Sequence, residues 1–278
     1  MRYSQGTFNN EQGLSVFTQQ WLPDEAPTAG FLLVHGISEH SGRYQNLVNY
    51  FVPRGYAIFG LDHPGHGQSD GARAHIKRFR QFVTTLRQYN DAVRAAHPGL
   101  PLFLYGHSMG GLISLHFLPD SQDGFRGAVL SAAPVSVPPH VSRFVIFLGR
   151  VLSRLLPRVR LVPLDSTGIS RDPTVVRAYD TDPLVFRGKA TARLAAELMA
   201  AIKAAPQAAR RITLPTLVLQ GSADPIVDPG DGPLLHEHLL GSADKTLRHY
   251  PGLFHEVHNE PEQLKVFGDV DTWLTAHL

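Results

Sequence analysis

A serine framed by glycines is the residue best suited to chemistry in this chain of 278 residues. Ser108 stands at the centre of the segment 106–110, which reads Gly-His-Ser-Met-Gly and matches the pattern G-x-S-x-G. An apolar run over 102–105 precedes it, and a helical pattern begins at Leu112. This context predicts a nucleophile on a sharp strand-to-helix turn, where glycines avoid crowding and the helix N-terminus favours negative charge.

A nucleophilic serine needs two N–H groups directed at the oxyanion that forms when it attacks a carbonyl. The residue after the nucleophile, Met109, is expected to supply one of them. The second usually comes from a loop after an earlier strand, and here residues 35–40 (His-Gly-Ile-Ser-Glu-His) follow such a strand. We therefore expect the N–H of Ile37 to be the second donor.

The acid and the base of this architecture follow the serine in that order along the chain. Asp224 follows the apolar run 217–220 and is the preferred acid, while Asp228, four residues further on, is the alternative. His255 lies between the last predicted strand and the last predicted helix, which is the position of the base. His258 is the alternative base and is preferred as a pocket residue.

Metal chemistry has little support in the sequence. The chain contains no cysteine, and its closely spaced histidine pairs have no third ligand in a recognisable pattern. We therefore expect neither a metal nor another cofactor.

The elements that would position these residues alternate between strands and helices. Near-continuous apolar runs predict buried strands at residues 14–22, 30–36, 56–62, 102–105, 127–131, 216–220 and 245–250. Helical spacing is clear over 79–93 and 261–278. This order predicts an α/β fold with a mostly parallel central sheet flanked by helices.

The alternation stops between residues 133 and 206, where helical patterns follow one another and no strand is expected. We interpret this stretch as a helical cap, residues 134–205, inserted into a discontinuous core made of residues 1–133 and 206–278.

Composition narrows the function classes. Hydrophobic residues make up 43% of the chain and charged residues 18%, which is typical of a folded protein with a large core. The formal net charge of +2 is too small for a dedicated nucleic-acid binder. Neither a signal-peptide apolar region nor a stretch of about 18 apolar residues is present, so a cytoplasmic location is predicted.

Several motifs together resemble the monoglyceride lipases of the α/β-hydrolase fold and the related bacterial lysophospholipase-type esterases. The resemblance covers nearly the whole chain and rests on residues 35–44, 61–69, 106–111, 170–171 with 179–184, 220–224 and 255–258.

The resemblance implies roles for these residues. Ser108, Asp224 and His255 would form a catalytic triad, and Ile37 and Met109 would form the oxyanion hole. The insertion would be a cap with an apolar acyl tunnel. The polar end of the site, which would receive glycerol, would be lined by Glu39, Arg43, Tyr179 and His258.

The cap sequence is basic. Residues 124–164 contain six arginines and neither Asp nor Glu. On a helical projection, Arg143, Arg150 and Arg154 fall on one stripe that also holds Phe147, opposite an apolar face. This pattern predicts either peripheral docking on an anionic membrane or an ordinary solvated face.

The sequence thus predicts a serine hydrolase that cleaves monoacylglycerols to fatty acid and glycerol through an acyl-enzyme on Ser108. Its predicted partner is a small lipid ester, with no nucleic acid. The alternatives are a lysophospholipase or a general carboxylesterase with the same triad, a transferase or perhydrolase that uses the same acyl-enzyme, and a non-catalytic ligand-binding protein of this fold.

Overall fold

The structure, a computed structural model, describes residues 1–137, 149, 151–163 and 166–278. Its centre is an eight-stranded sheet of order β1-β2-β4-β3-β5-β6-β9-β10. The β1–β2 and β2–β4 pairs are antiparallel and the others are parallel. The predicted α/β fold with a mostly parallel sheet is confirmed.

The strands of this sheet are β1 (Arg2–Asn9), β2 (Ser15–Leu22), β3 (Ala29–Val34), β4 (Tyr56–Leu61), β5 (Leu102–His107), β6 (Phe125–Ser131), β9 (Thr216–Gly221) and β10 (Lys245–Tyr250). The α-helices whose two ends the structure describes are α1 (Gln45–Phe51), α2 (Arg80–Ala96), α3 (Met109–Phe117), α4 (Pro173–Thr181), α5 (Ala192–Ala209), α6 (Asp231–His238) and α7 (Gln263–Thr275).

The central strands are buried on both faces because successive side chains enter opposite cores. In β3, Leu32 and Val34 belong to the core beneath α2, α3 and α5. Phe31 and Leu33 belong to the core beneath α1 and α7. This period of two explains why these strands appear in the sequence as unbroken apolar runs.

The prediction that residues 133–206 contain no strand is wrong. A two-stranded antiparallel sheet joins β7 (Arg160–Pro163) to β8 (Lys189–Thr191). All four residues of β7 are exposed, so the pair has no long apolar run that periodicity could detect.

The cap boundaries stay a prediction. Helix α5 runs without interruption through the expected boundary at 205/206, although Pro206 lies inside it. Ala201, Ala205 and Ala209 of this helix pack into the core that also holds α3. The second half of α5 therefore packs against the core of the sheet domain, as does Leu194 near the start of the helix.

None of the helices that the structure describes is long and apolar enough to cross a bilayer.

Candidate active site

Ser108 lies between the last residue of β5 and the first residue of α3. Its backbone has φ 53° and ψ −120°, an unusual conformation for a residue with a side chain. Two hydrogen bonds hold this turn: the Ser108 N–H donates to the Ser131 carbonyl, and its own carbonyl accepts from Leu112 N–H.

The glycines around Ser108 are required by close backbone approach. A Cβ atom on Gly110 would lie 2.0 Å from the Val34 carbonyl oxygen, and one on Gly106 would lie 2.9 Å from the Gly110 carbonyl oxygen. Strand β3, strand β5 and helix α3 therefore meet at this turn at distances that only glycine permits.

Three residues form a hydrogen-bonded relay at the carboxyl edge of the parallel sheet. The Ser108 Oγ lies 2.9 Å from His255 Nε2, and His255 Nδ1 lies 2.8 Å from Asp224 Oδ2. Asp224 follows β9 and His255 follows β10, which are adjacent parallel strands. Both residues therefore lie at the carboxyl ends of the strands, on the same side of the sheet as Ser108, which follows β5. This arrangement of nucleophile, base and orienting acid is that of a serine hydrolase.

The relay is buried and its acid is firmly held. Asp224 Oδ1 accepts the N–H groups of Ile226 (2.8 Å) and Val227 (3.0 Å), and Oδ2 also accepts from Gln220 Nε2 (3.1 Å). Burial alone lowers the pKa of His255, but the charge and hydrogen bond of Asp224 outweigh it and raise the pKa above the ordinary value. A positive charge on this imidazole is therefore stabilised.

The alternative acid and base lie elsewhere. Asp228 is exposed, and its Oδ1 accepts the N–H of Gly230. His258 is fully buried and stacks on the Tyr44 ring, with centroids 4.8 Å apart. Neither of its nitrogens has a hydrogen-bond partner among the described residues, and burial lowers its pKa to about 4. The structure does not bring either residue into the relay.

The loop after β3 lies against the nucleophile, as expected of an oxyanion loop. A Cβ atom on Gly36 would lie 3.3 Å from Ser108 Cβ. The N–H of Gly36 donates to Glu39 Oε1 at 2.6 Å, which fixes the start of this loop. The N–H groups of Ile37 and Met109 have no acceptor within the described part of the chain, so both are free to bind an oxyanion.

A buried cluster of one arginine and two glutamates joins the oxyanion loop to the His255 loop. Arg43 Nη1 lies 2.8 Å from Glu39 Oε2 and 2.6 Å from Glu256 Oε1, and Nη2 lies 2.8 Å from Glu256 Oε2. These three side chains are 8%, 3% and 3% exposed. We refer to them as the carboxylate cluster.

The pKa values of the two carboxyl groups in this cluster are shifted in opposite directions. Burial opposes ionisation of Glu256, but both charge and hydrogen bonds from Arg43 lower its pKa below the ordinary value. Burial and repulsion by Glu256 raise the pKa of Glu39 despite its contact with Arg43. One guanidinium therefore does not neutralise two carboxylates equally.

A cavity of about 310 Å³ opens beside Ser108 and His255. Glu39, Glu256 and Tyr179 line one part of it, whereas Ile37, Ile169, Pro163, Pro225 and Ile226 are among its apolar lining residues. Glu39 and Tyr179, which the resemblance assigns to the glycerol end, are thus both cavity-lining residues, and their role in binding glycerol stays a prediction. Arg43 and His258 are not among the lining residues; Arg43 lies behind the carboxylates, 4.5 Å from the centroid of the Tyr179 ring.

The insertion is tied to both catalytic loops. His40 Nε2 and Asp182 Oδ2 lie 2.8 Å apart, and the Phe186 N–H donates to the Ser38 carbonyl at 2.9 Å. On the other side, the Glu256 N–H donates to the Ile169 carbonyl at 2.8 Å. The insertion therefore forms part of the wall of the site.

Sequence reasoning assigned no role to Glu256 or to Asp62. Asp62 is fully buried and accepts from the N–H and Oγ of Ser41 and from the N–H of Gln68, so it joins the loops after β3 and β4. Both residues lie inside the recognised motifs, directly beside a histidine. Their burial was the missing information, because a charged residue is usually exposed.

The residues predicted to dock on membranes are only partly described. Arg143, Phe147 and Arg150 lie outside the described residues. Arg154 is exposed within the helical segment 151–155.

Within the described residues, no group of three or more acidic or histidine side chains is arranged to hold a metal ion.

The comparisons agree with this geometry. Residues 25–262 match the family model described as serine aminopeptidase, S33. The chain is 37% identical over 275 residues to a monoacylglycerol lipase of Mycolicibacterium smegmatis, covering 99% of this chain and 98% of that one. It is 36% identical over 269 residues to a monoglyceride lipase of Homo sapiens, covering 96% and 88%.

A solved structure, the monoacylglycerol lipase of Paleococcus ferrophilus, superimposes with a TM-score of 0.82 at 29% identity and full coverage of both chains. The resemblance recognised in the motifs is confirmed. The chain therefore belongs to the serine aminopeptidase S33 family, has the α/β-hydrolase fold and is a homologue of the monoglyceride lipases.

Proposed function

We propose that this protein is a serine hydrolase that cleaves monoacylglycerols into a fatty acid and glycerol. The observation that carries the proposal is the buried relay from Asp224 through His255 to Ser108, at a turn flanked by two unpaired N–H groups. Homology to the monoglyceride lipases supports the choice of substrate.

Acylation follows from the positions of these atoms. As Ser108 Oγ attacks the ester carbonyl carbon, His255 Nε2 takes the hydroxyl proton and Asp224 stabilises the resulting imidazolium. The oxyanion accepts hydrogen bonds from the N–H groups of Ile37 and Met109. The tetrahedral intermediate collapses, the ester C–O bond breaks, and His255 gives its proton to the leaving glycerol oxygen.

Deacylation repeats these steps with water as the nucleophile. His255 takes a proton from the water as it attacks the acyl carbon, a second oxyanion occupies the same two N–H groups, and Ser108 Oγ leaves with the proton from His255. The fatty acid is released and the relay returns to its starting state.

Peripheral binding of the cap to anionic membranes is a second part of the proposal. Arg154 and Arg158 are exposed beside large apolar side chains, of which Leu155 is 72% and Leu156 is 54% exposed. Leu161 and Val162 continue this exposed stretch to Pro163, which lines the cavity. A basic surface with exposed apolar side chains at the mouth of a lipid site suits an anionic bilayer.

A hydrolysis panel tests the proposed reaction. The panel compares 1-octanoylglycerol, a di- and a triacylglycerol, p-nitrophenyl octanoate and an alanine p-nitroanilide. We expect 1-octanoylglycerol to have the highest kcat/KM among the glycerides. Faster release of p-nitroaniline than of octanoate would instead indicate a peptidase, the activity carried by the family name.

Substitutions in the relay test the residue roles. Ser108→Ala and His255→Ala should each lower kcat by about 10⁴-fold or more, because triad members act as a unit. His249→Ala removes an exposed histidine of β10 and serves as the matched control, with unchanged kcat. More than a few per cent of activity in folded His255→Ala would move the base role to another histidine.

A further inference from the structure

The alcohol portion of the substrate must lie next to His255. The proposed mechanism, on which this inference rests, requires His255 Nε2 to protonate the leaving oxygen, so that oxygen lies on the His255 side of Ser108. Glu256 is the next residue, and it lines the cavity together with Glu39 and Tyr179. The carboxylate cluster therefore faces the leaving alcohol.

Acidic side chains outnumber basic ones at this end of the cavity. Among the described residues that line the cavity, the acidic side chains are Glu39 and Glu256, and neither Lys nor Arg is present. Arg43 is the cation of the cluster, but it lies behind the carboxylates and both of its terminal nitrogens are already bound. One positive and two negative charges leave an excess of one negative charge when both glutamates are ionised.

The neighbouring imidazoles do not supply a compensating cation. His107 also lines the cavity, but burial holds its pKa well below the ordinary value, so it is neutral. His255 must itself be neutral to accept the serine proton. An anionic group entering this end would thus lose its hydration and meet carboxylates without a basic partner.

We propose that Glu256, together with Glu39, selects esters of uncharged polyols and excludes esters whose alcohol carries a phosphate. Hydroxyl groups of a polyol can donate to carboxylate oxygens, whereas a phosphate close to them is repelled. Glu256 is then a specificity-determining residue. This charge selection separates a monoacylglycerol lipase from a lysophospholipase built on the same triad.

Three octanoyl esters, used below their micelle concentration to avoid surface effects, test the inference. They are 1-octanoylglycerol, 1-octanoylglycerol 3-phosphate and its uncharged dimethyl phosphate triester, which has at least the bulk of the phosphate. For the wild type we expect kcat/KM for the phosphate to be about 100-fold or more below that for 1-octanoylglycerol, with the triester much closer to 1-octanoylglycerol. Equal rejection of phosphate and triester would mean a steric limit and would overturn the inference.

Charge removal provides the second arm. Glu256→Gln keeps an oxygen for Arg43 and leaves the cluster neutral, so the selectivity ratio of glycerol ester to phosphate should narrow by about tenfold. Glu39→Gln should act in the same direction. Asp123→Asn, which removes an exposed charge on the connection before β6, is the matched control and should leave the ratio unchanged.

The outcomes separate this inference from the proposed function. An unchanged ratio in both glutamine variants would overturn the charge selection alone. If Glu256→Gln does not fold, the Glu39→Gln variant and the comparison of phosphate with triester still test whether selection depends on charge. A wild type that cleaves p-nitrophenyl octanoate but none of the three glycerol esters would overturn the proposed function, and this inference with it.

Discussion

The ionisation of His255 sets the pH range of the proposed reaction. His255 acts as a base only when it is neutral, so kcat/KM should fall as the pH drops below its pKa. Asp224 raises that pKa above the ordinary value of about 6.5 despite burial. We therefore expect the acid limb of the pH profile for p-nitrophenyl butyrate to lie above about pH 6.5.

Asp224→Asn tests the cause of this shift. The variant keeps an oxygen to accept the N–H groups of Ile226 and Val227, but it removes the charge that raises the His255 pKa. The remaining activity should be about 10⁴-fold lower, and its acid limb should move to lower pH. An acid limb at the same pH in both enzymes would show that Asp224 does not set it.

Arg43 should contribute strongly to the stability of the folded protein. Its removal leaves two carboxyl groups buried without a cation, and breaking such a pair typically costs about 3–5 kcal/mol of unfolding free energy. We expect this loss for Arg43→Ala in urea unfolding at pH 8. Arg54→Ala, which removes an exposed arginine 3.7 Å from Asp271, should cost under about 1 kcal/mol.

The pH dependence of this loss follows from the carboxylates. The lowered pKa of Glu256 gives the wild type a stabilisation that is present above the unfolded pKa and lost as the pH falls. Without Arg43, ionising either buried carboxylate destabilises the native state instead. The difference between variant and wild type should therefore be larger at pH 8 than at pH 4, and a difference independent of pH would contradict this account.

For single residues, the local sequence predicted a role in the active site where the residue follows a strand. It did not predict a role that depends on a partner far away in the chain. Ser108, Asp224 and His255 could be predicted because each follows an apolar run in a known order. Glu256 contacts Arg43 across 213 residues of chain, and that distance leaves no local signal. Its contact with Arg43 is visible only in the folded structure, where the loop after β3 lies next to the His255 loop.

At the scale of elements, the junction of β3, β5 and α3 has almost no spare room. Gly110→Ala places a methyl group 2.0 Å from the Val34 carbonyl, so strand and helix must move apart. We expect a loss of about 3 kcal/mol or more in unfolding free energy, as for overpacked cores. Gly268→Ala is the matched control: it lies in α7, where the new Cβ would meet no atom within 4 Å apart from the adjacent residues and the nearby backbone of its own helix, and it should stabilise by about 0.5–1 kcal/mol.

Strands with a strong apolar pattern were predicted from the sequence. Exposed strands, which are stabilised mainly by backbone hydrogen bonds to a neighbouring strand, were not. The seven predicted strands correspond to β2, β3, β4, β5, β6, β9 and β10, within three residues at each end. Strand β1 was missed because, apart from Phe8, all its residues are exposed. All eight residues of β1 pair with β2 in an antiparallel arrangement, and this pairing stabilises the strand. The sequence of β1 itself has no alternation of apolar and polar residues that would predict it.

At the scale of the whole molecule, cations and apolar side chains meet on one exposed stretch of the insertion. Residues 154–156 and 158–163 are all exposed, and they include Arg154, Arg158, Leu155 and Leu156. This combination of exposed arginines and leucines is the basis of the proposed docking on an anionic membrane. The charge should draw the protein to an anionic surface, and the leucines should then insert.

These two contributions can be separated by salt. Arg154→Glu with Arg158→Glu should weaken binding to vesicles of phosphatidylcholine and phosphatidylserine at low salt, by about 1 kcal/mol or more per arginine. At 0.5 M NaCl the wild type should bind as weakly as this variant, because exposed charges are screened. Leu155→Ser with Leu156→Ser should weaken binding at both salt concentrations, since burial of apolar surface does not depend on screening.

Vesicle co-sedimentation measures the binding, and turnover of vesicle-borne monoacylglycerol should fall in parallel. Hydrolysis of monomeric p-nitrophenyl butyrate should change little in either variant, because Ser108 and its relay lie on the sheet edge rather than on this stretch. Arg126→Glu with Lys203→Glu is the control, as it reverses the same number of exposed charges at β6 and late in α5. If this control lost as much vesicle binding as the cap variant, net charge alone would explain the attraction and the cap would have no special role.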